Sequence, residues 1–294
     1  MKRIVLKAYA KINWALDVLG ERADGYHDVE MVMQSIDLCD IVSLTEKNDG
    51  ISMGCDGDSI PVDETNTAYR AAALIKERFG IEKGLEIELK KNIPVAAGLA
   101  GGSADAAAVL VGLNRMWELN LQDSDLMALA GIIGSDVPFC VAGGTALARG
   151  RGEKIAKLSP AEGIWLVLVT LKQHVSTAEV YGRLNLNRVS ARPNIAGMVH
   201  SLRNRDFEGI ARNMVNVLEV VTLELCPEID AVKDDIMRQG AIGCCMSGSG
   251  PTVYGLFGDE YAARRAYTAL NRKYSQCFVV QTAGLGVQVV EEVH

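Results

Sequence analysis

A glycine-rich segment in the first half of the chain limits most sharply what the protein can fold into. Residues 94–109 read PVAAGLAGGSADAAAV and lie between a strand-like run, 85–90, and an alanine-rich stretch typical of helix. A glycine turn before a helix gathers backbone N–H groups at the positive end of the helix dipole, an arrangement that binds phosphate. The segment has neither the lysine of a P-loop nor the G-x-G-x-x-G spacing of a dinucleotide-binding fold. The sequence therefore predicts a phosphate-binding loop of another kind.

Composition and charge narrow the class of protein. The 294 residues are enough for two domains, and a net charge of −7 without any block of lysine or arginine argues against a nucleic-acid partner. The most apolar run, 164–171, is too short to cross a membrane, and the first residues lack the apolar core of a signal peptide. Seven cysteines without C-x-x-C spacing predict free thiols in a cytoplasmic protein.

Strand-like and helix-like stretches alternate along the chain, which predicts a mixed α+β fold. The predicted strands are 4–9, 12–19, 41–46, 85–90, 143–148, 164–171, 241–246, 252–257, 278–281 and 286–290. The predicted helices are 68–79, 103–117, 124–133, 177–184, 195–202, 207–220, 228–239 and 260–273, with Thr67 and Ser124 as N-caps of the first and third. We interpret the glycine-rich, charged stretch 149–154 as the link between two domains, 1–152 and 153–294.

Three clusters of polar and glycine residues carry the functional signal. They are KAYAKINW at 7–14, the glycine-rich loop itself, and CMSGSGPT at 245–252. The third predicts a tight turn between two late strands, where Gly248 and Gly250 permit backbone conformations that are closed to other residues. By itself such a turn is more often structural than functional.

Together the three clusters resemble the motifs of the GHMP kinases, the family of galactokinase, homoserine kinase and mevalonate kinase, in their order, spacing and chain length. The resemblance implies an N-terminal ribosomal-protein-S5-like domain and a C-terminal ferredoxin-like domain, with the active site in the cleft between them. It also implies an enzyme that transfers phosphate from ATP, with Mg²⁺, to an alcohol group. The branch whose acceptor carries cytidine diphosphate matches best, in RADGYHD at 22–28, KIN at 11–13, GSDVPF at 134–139 and GGTA at 143–146.

The resemblance implies roles for individual side chains. Asp136 is expected to be the catalytic carboxylate that faces the acceptor hydroxyl, although an aspartate in such a place is otherwise usually an N-cap or a surface residue. Lys11 is expected to lie beside it, where its charge keeps the carboxylate ionised and offsets charge on the transferring phosphoryl group. Asn13 lies on the same face of the predicted strand as Lys11, so it is expected to touch the substrate or to position Asp136.

Aromatic residues are expected to hold the cytidine end of the acceptor. Tyr26 and His27 match the pair that grips this base, and Tyr181 matches the aromatic position on its other side. An amphipathic-helix core residue is the alternative for Tyr181. The expected acceptor is therefore a small molecule that bears cytidine diphosphate, bound by a monomer or a homodimer without a nucleic-acid or membrane partner.

The glycine-rich loop is expected to bind ATP through the residues Pro94, Val95, Ala96, Ala97, Gly98, Leu99, Ala100, Gly101, Gly102, Ser103 and Ala104. The Ser103 hydroxyl is expected to donate to a phosphate or to hold Mg²⁺. A second serine often follows in the family, and this chain has alanine there. Ser103 would then serve the metal alone, or water would.

Three other functions remain as alternatives. A homoserine or mevalonate type of kinase is disfavoured by DGYH at 24–27, because those acceptors carry no nucleobase. A non-catalytic nucleotide- or sugar-binding protein of the same fold would not need both Lys11 and Asp136. An NAD-linked oxidoreductase would need the strand, glycine motif and helix of a dinucleotide-binding unit.

Overall fold

The computed structural model of the chain describes residues 2–56 and 60–293, and these form two β-sheets with helices packed against them. The strands, numbered along the chain, are β1 (Arg3–Glu21), β2 (His27–Lys47), β3 (Ile51–Asp56), β4 (Gly84–Lys90), β5 (Thr145–Gly150), β6 (Lys154–Lys157), β7 (Trp165–Thr170), β8 (Gly243–Met246), β9 (Thr252–Phe257), β10 (Cys277–Gln281) and β11 (Val287–Val293). The first sheet has the order β11-β1-β2-β4-β3, with β5 paired to β2 and β6 to β5. The second has the order β10-β7-β9-β8 and is antiparallel throughout.

Helices cover the sheets and bury their apolar faces. They are α1 (Thr67–Phe79), α2 (Gly101–Met116), α3 (Asp123–Ile133), α4 (Val137–Ala142), α5 (Thr177–Arg183), α6 (Ile195–Asn204), α7 (Phe207–Asn213), α8 (Glu219–Leu225), α9 (Glu228–Arg238) and α10 (Glu260–Leu270). Helix α2 lies so close to the first sheet that a Cβ at Gly112 would meet Leu44 Cδ1 at 2.5 Å. Across residues 2–56 and 60–293 we find no helix with the length and apolar character to cross a bilayer.

Strand β1 connects the core of the molecule to the glycine-rich loop. Its register with β2 shifts between Tyr9 and Lys11, a bulge that turns the Lys11 amide away from β2. That amide donates instead to the carbonyl of Leu99, at 3.1 Å. Further along β1, the Trp14 and Tyr254 rings meet edge-on at 5.8 Å, and the Tyr254 hydroxyl donates to the Asn13 carbonyl at 2.7 Å. The two sheets therefore meet beside the loop.

The predicted α+β fold is confirmed, and several element boundaries are corrected. The predicted strands 4–9 and 12–19 are one strand, β1, because a bulge bends a strand without ending it. Strands β3 and β6 and helix α4 were not predicted. The predicted helix 207–220 is two helices separated at 214–218. The chain is interrupted there because the buried side chain of Asn216 accepts from the Leu218 amide and donates to the carbonyls of Met246 and Gly248. The N-caps of α1 and α3 are Asn66 and Gln122, in place of the predicted Thr67 and Ser124.

The stretch 149–154 is the tip of the β5–β6 hairpin, in which 151–153 form the turn and Arg149 pairs with Lys154, so its interpretation as an interdomain link is wrong. Its glycines form a hairpin because Gly150 and Gly152 have φ values of +72° and +112°. The division of the chain into domains 1–152 and 153–294 stays a prediction. Two strands beyond residue 152, β6 and β11, belong to the first sheet.

Candidate active site

A cavity of about 1020 Å³ lies where the glycine-rich loop, the β1–β2 hairpin and the start of α5 face one another. It brings together the side chains that the sequence predicted for catalysis, for the acceptor and for the metal: Lys11, Asn13, Tyr26, His27, Ser103, Asp136 and Tyr181. Its wall also includes Ala96–Gly98 and Ala100–Gly102 of the loop. Residues that are far apart in the sequence therefore share one chamber.

The loop presents free backbone N–H groups to this cavity. Helix α2 begins after Ala100, and no side chain caps its first turn. The first N–H groups of a helix lack partners inside the helix, and here they lie at the positive end of a 16-residue dipole. Ala96 and Ala100 have φ values of +52° and +58°, a conformation that costs about 1–2 kcal/mol for a residue with a Cβ. The loop is thus held in a strained shape suited to an anion.

The 247–250 turn supports the loop from the second sheet. Gly98 has a φ of +77°, and a Cβ on it would lie 2.1 Å from the carbonyl oxygen of Ser247. The Ser247 hydroxyl donates to the Gly98 carbonyl at 2.9 Å. Asn216 fixes this turn, because its side-chain amide donates to the carbonyls of Met246 and Gly248 at 2.9 and 2.7 Å. The third sequence cluster therefore supports the glycine-rich loop.

Lys11 and Asp136 form the polar centre of the cavity. The Lys11 ammonium is 2.9 Å from Asn13 Oδ1, 2.9 Å from the Gly98 carbonyl and 3.6 Å from Asp136 Oδ2. The Lys11 side chain is only 4% exposed, whereas that of Asp136 is 32% exposed. Asp136 occupies the N-cap position of α4, yet its side chain makes no capping hydrogen bond. Its carboxylate is therefore available to a ligand, and the N-cap interpretation describes only its backbone.

The aromatic residues form a separate end of the same cavity. The His27 and Tyr181 rings lie 5.2 Å apart at 43°, while Tyr26 is 53% exposed and has the Arg151 guanidinium 5.0 Å above its ring. Burial raises the pKa of Tyr181, and the charge of Asp136 raises it further, so this hydroxyl stays neutral. Tyr181 also packs against the core, so the structural and the ligand-facing interpretations both hold for it.

The β1–β2 turn that carries Tyr26 is stabilised by ion pairs between its own residues. Arg22 donates to Asp28 at 2.7 Å and to Asp24 at 3.1–3.2 Å, and Asp24 Oδ1 accepts from the Tyr26 amide. The hydrogen bond from Arg22 lowers the pKa of Asp24. Gly25, with φ of +80°, closes the turn. The DGYH string is thus a rigid tip that projects an aromatic ring over the cavity.

Comparisons with known proteins show which family the chain belongs to. Models of the GHMP kinases N terminal domain and of the GHMP kinases C terminal region match residues 66–144 and 198–276. A 4-diphosphocytidyl-2-C-methyl-D-erythritol kinase of Acetivibrio thermocellus is 48% identical, over 96% of this chain and 100% of its own. The chain belongs to the GHMP kinase family. A kinase of the same name from Exiguobacterium sibiricum is 50% identical, over 96% of this chain and 98% of its own.

Solved structures show the same architecture for this GHMP kinase. A crystal structure of 4-(cytidine 5'-diphospho)-2C-methyl-D-erythritol kinase is 32% identical, with a TM-score of 0.82 over 97% of this chain and 100% of its own. A homoserine kinase from Cytophaga hutchinsonii, 24% identical, superposes with a TM-score of 0.80 over 98% of this chain and 97% of its own, which shows the shared fold. The two-domain GHMP kinase architecture that the sequence predicted is confirmed.

Some residues predicted to bind ATP are placed away from the main cavity. The Leu99 and Ala104 side chains are fully buried in the core, so they shape the loop and do not face a ligand. Position 104 therefore points inward in this chain, which leaves Ser103 as the hydroxyl that the loop itself contributes to the cavity. Pro94 and Val95 line a second cavity of about 210 Å³ on the other side of the loop.

The second cavity contains a buried ion-pair network that was missed from the sequence. Lys91 Nζ is 2.5 Å from Asp105 Oδ2 and also pairs with Asp40, whose other oxygen accepts from the amides of Asn92 and Ile93. Burial raises the pKa of Asp105 to about 7, against the effect of Lys91. Asp105 Oδ1 has no hydrogen-bond partner. A lysine just before the loop and an aspartate at the fifth residue of α2 were the available signals.

Other polar residues of this GHMP kinase also escaped the sequence interpretation. Arg151, Ser135, His174 and Ser249 line the main cavity, and the Ser249 hydroxyl is 2.8 Å from that of Thr177. Ser135 and Ser249 lie inside motifs that the sequence did identify, at 134–139 and 245–252. Arg151 lies in the stretch that was interpreted as a linker.

Proposed function

We propose that the protein phosphorylates the 2-hydroxyl group of 4-diphosphocytidyl-2-C-methyl-D-erythritol with ATP, a step of the non-mevalonate route to isoprenoids. Relatives about half identical over nearly the whole chain bear the name of this kinase. The observation that carries the proposal is the Lys11–Asp136 contact of 3.6 Å in a cavity walled by the uncapped start of α2. A carboxylate and an ammonium therefore meet where a phosphate and a hydroxyl can be brought together.

The chain's own residues suit each part of an in-line phosphoryl transfer. The free N–H groups of α2 hold phosphate oxygens, and Asp136 orients the acceptor hydroxyl and takes its proton as the phosphorus–oxygen bond forms. The transition state is loose, so the proton leaves late and alignment matters more than the strength of the base. Lys11, fixed by Asn13 and Gly98, lies 3.6 Å from Asp136 and compensates charge on the transferring group.

ATP can span the loop between the two cavities. Gly101 and Gly102 line both chambers, so a nucleotide with its phosphates at the start of α2 can place its base in the smaller one. That chamber is lined by Ile60, Pro61 and Val95, which offer apolar surface to a planar ring. The large cavity then remains for the acceptor, whose base would lie at His27 and Tyr181.

Magnesium fits the residues that are present. Among the described residues no group of three or more His, Cys, Asp or Glu side chains is placed to hold a metal. Mg²⁺ needs few protein ligands, since it keeps waters and bridges phosphates. The Ser103 hydroxyl and the Asp136 carboxylate both face the cavity and would hold the ion or its waters. The bound ion would neutralise phosphate charge during the transfer.

The alternatives are less well supported. A homoserine or mevalonate acceptor would leave the His27–Tyr181 end of the cavity without a ring to bind. A non-catalytic binding protein would not need the carboxylate of Asp136 to be free of the capping bond that its position invites. The expected cytoplasmic location, the absence of a nucleic-acid partner and the choice between monomer and homodimer stay predictions.

Asp136→Asn tests the function directly. We expect turnover of the cytidine-diphosphate acceptor to fall about a thousandfold, the order that a general base contributes, while calorimetry finds ATP and CDP still bound. Asp259→Asn is the matched control, because Asp259 caps α10 far from the cavity and asparagine can cap as well. Full activity of the Asp136 variant, or wild-type turnover of homoserine or mevalonate but not of this acceptor, would refute the proposal.

A further inference from the structure

Arg151 lies at the rim of the main cavity, in the tight turn of the β5–β6 hairpin. It lies between Gly150 and Gly152, and its amide donates to the Glu153 carboxylate at 2.7 Å. The hairpin therefore fixes where the side chain starts. The guanidinium lies 5.0 Å from the centroid of the Tyr26 ring, and the residue lines the same cavity as Asp136.

Among the described residues the Arg151 guanidinium has no ion-pair partner, although its charge adds to the larger effect of Arg22 in lowering the pKa of Asp24. Arg22, in the neighbouring β1–β2 turn, donates to both Asp24 and Asp28, whereas Arg151 has no ion pair within the described part of the chain. Lys11 is buried and bonded to three groups. Throughout residues 2–56 and 60–293, no other arginine lines the cavity. The Arg151 guanidinium is thus a positive charge at the cavity that can still accept an anionic partner.

The proposed acceptor carries a negatively charged diphosphate, which requires a positively charged group in the cavity. The carboxylates of Glu21 and Asp136 line the same cavity, so a ligand with two phosphates would meet negative charge on both sides. The diphosphate joins the base to the reacting end, so it must cross the space between His27 and Asp136. Arginine suits phosphate because its planar fork offers parallel N–H donors, and stacking on an aromatic ring orients that fork.

We propose that the Arg151 guanidinium, held over the Tyr26 ring, binds the diphosphate of the acceptor and so distinguishes a nucleoside diphosphate from an uncharged nucleoside. This inference rests on the proposed function for the nature of the acceptor. It assigns Tyr26 a second role, as the platform that orients the arginine. It also explains why the hairpin carries two glycines with positive φ next to a cavity.

Three variants and two probe ligands test the assignment. Arg151→Gln removes the charge, Arg151→Lys keeps the charge without the fork, and Arg149→Gln is the matched control. Arg149 lies two residues away on β5, pairs with Glu30 and does not line the cavity. Dissociation constants for CDP and for cytidine are measured by calorimetry, and KM for the full acceptor by a coupled assay. Thermal unfolding checks that each variant is folded.

We expect Arg151→Gln to weaken CDP binding about tenfold, the factor expected for one charged hydrogen bond at a partly exposed site, and to raise KM for the acceptor similarly. Cytidine binding should change less than about twofold, since the charge acts on phosphate. Arg151→Lys should fall between wild type and Arg151→Gln, and Arg149→Gln should match wild type.

Two results would overturn the inference. Equal losses for CDP and cytidine would mean that Arg151 acts only through the Tyr26 ring, and unchanged CDP binding would mean that it does not contact the phosphates. A different result would refute the proposed function. A wild-type protein that binds CDP through Arg151 but does not phosphorylate the acceptor would leave this inference standing and refute the activity.

Discussion

Replacing Gly98 by alanine should damage the phosphate loop more than any ordinary glycine substitution. A Cβ at this position would lie 2.1 Å from the carbonyl oxygen of Ser247, a backbone atom that cannot rotate away. The loop and the 247–250 turn would have to separate by about 1 Å, and in an active site a displacement of that order costs about a hundredfold in rate. The Gly98 carbonyl also accepts from Lys11 and Ser247, so the separation would strain both bonds.

The free energy of unfolding should fall by about 3–4 kcal/mol. The left-handed backbone, with φ of +77°, contributes about 1–2 kcal/mol of that cost for a residue with a Cβ. The two weakened hydrogen bonds contribute about 1 kcal/mol each.

Gly163→Ala separates these costs. Gly163 has a φ of +73°, and a Cβ there would meet no atom within 4 Å, so this control carries the backbone cost of about 1–2 kcal/mol alone. It lies outside the residues that line the cavity. Unfolding in urea and a coupled kinase assay are run on both variants and on the wild type.

The comparison of the two variants separates the cost of the left-handed backbone from the cost of displacing the loop. We expect Gly98→Ala to lose about a hundredfold in kcat/KM and about 2 kcal/mol more stability than the control, which should keep wild-type activity. Equal stability losses with unchanged activity would refute the reasoning that the 247–250 turn holds the loop in its active shape.

Two further predictions follow from the site. Burial raises the folded-state pKa of Asp105 to about 7, above the roughly 3.9 of an unfolded chain, so the folded protein binds this proton more tightly and its stability should fall as pH rises from about 4 to about 7. Asp105→Asn should therefore flatten the dependence of the unfolding midpoint on pH over this range, and parallel curves for variant and wild type would contradict the assignment. Tyr181→Leu should raise KM for the acceptor about tenfold, because stacking on a base is worth about 1–3 kcal/mol. Its ATP affinity should be unchanged, and an equal loss for ATP would show that Tyr181 only supports the fold.

Much of the candidate site could be predicted from the sequence because its motifs are local. The glycine-rich loop predicts its phosphate chemistry from spacing alone, and the start of α2 lies within two residues of the predicted position. The roles of Lys11, Asp136, Tyr26 and His27 came from a resemblance, and the structure places all four in one cavity. Their individual roles stay predictions.

Other parts of the site depend on contacts between distant segments. No local pattern shows that residue 98 packs against residue 247, or that Asn216 interrupts an otherwise helical stretch to hold the 246–248 turn. Glycine and charge at 149–154 resemble a linker, and only pairing with β2 and β6 makes the stretch a hairpin that brings Arg151 over Tyr26.

The sequence by itself determined the α+β class and predicted a phosphate-binding loop, because backbone conformation and helix dipoles are set by neighbouring residues, and its motifs indicated kinase chemistry through their resemblance to a family. Only the tertiary structure decided which side chains share the cavity, that Ala104 points into the core while Ser103 lines the cavity, and that Lys91, Asp40 and Asp105 form a buried network. These outcomes depend on burial and on distances between segments far apart in the chain, which residue spacing does not encode.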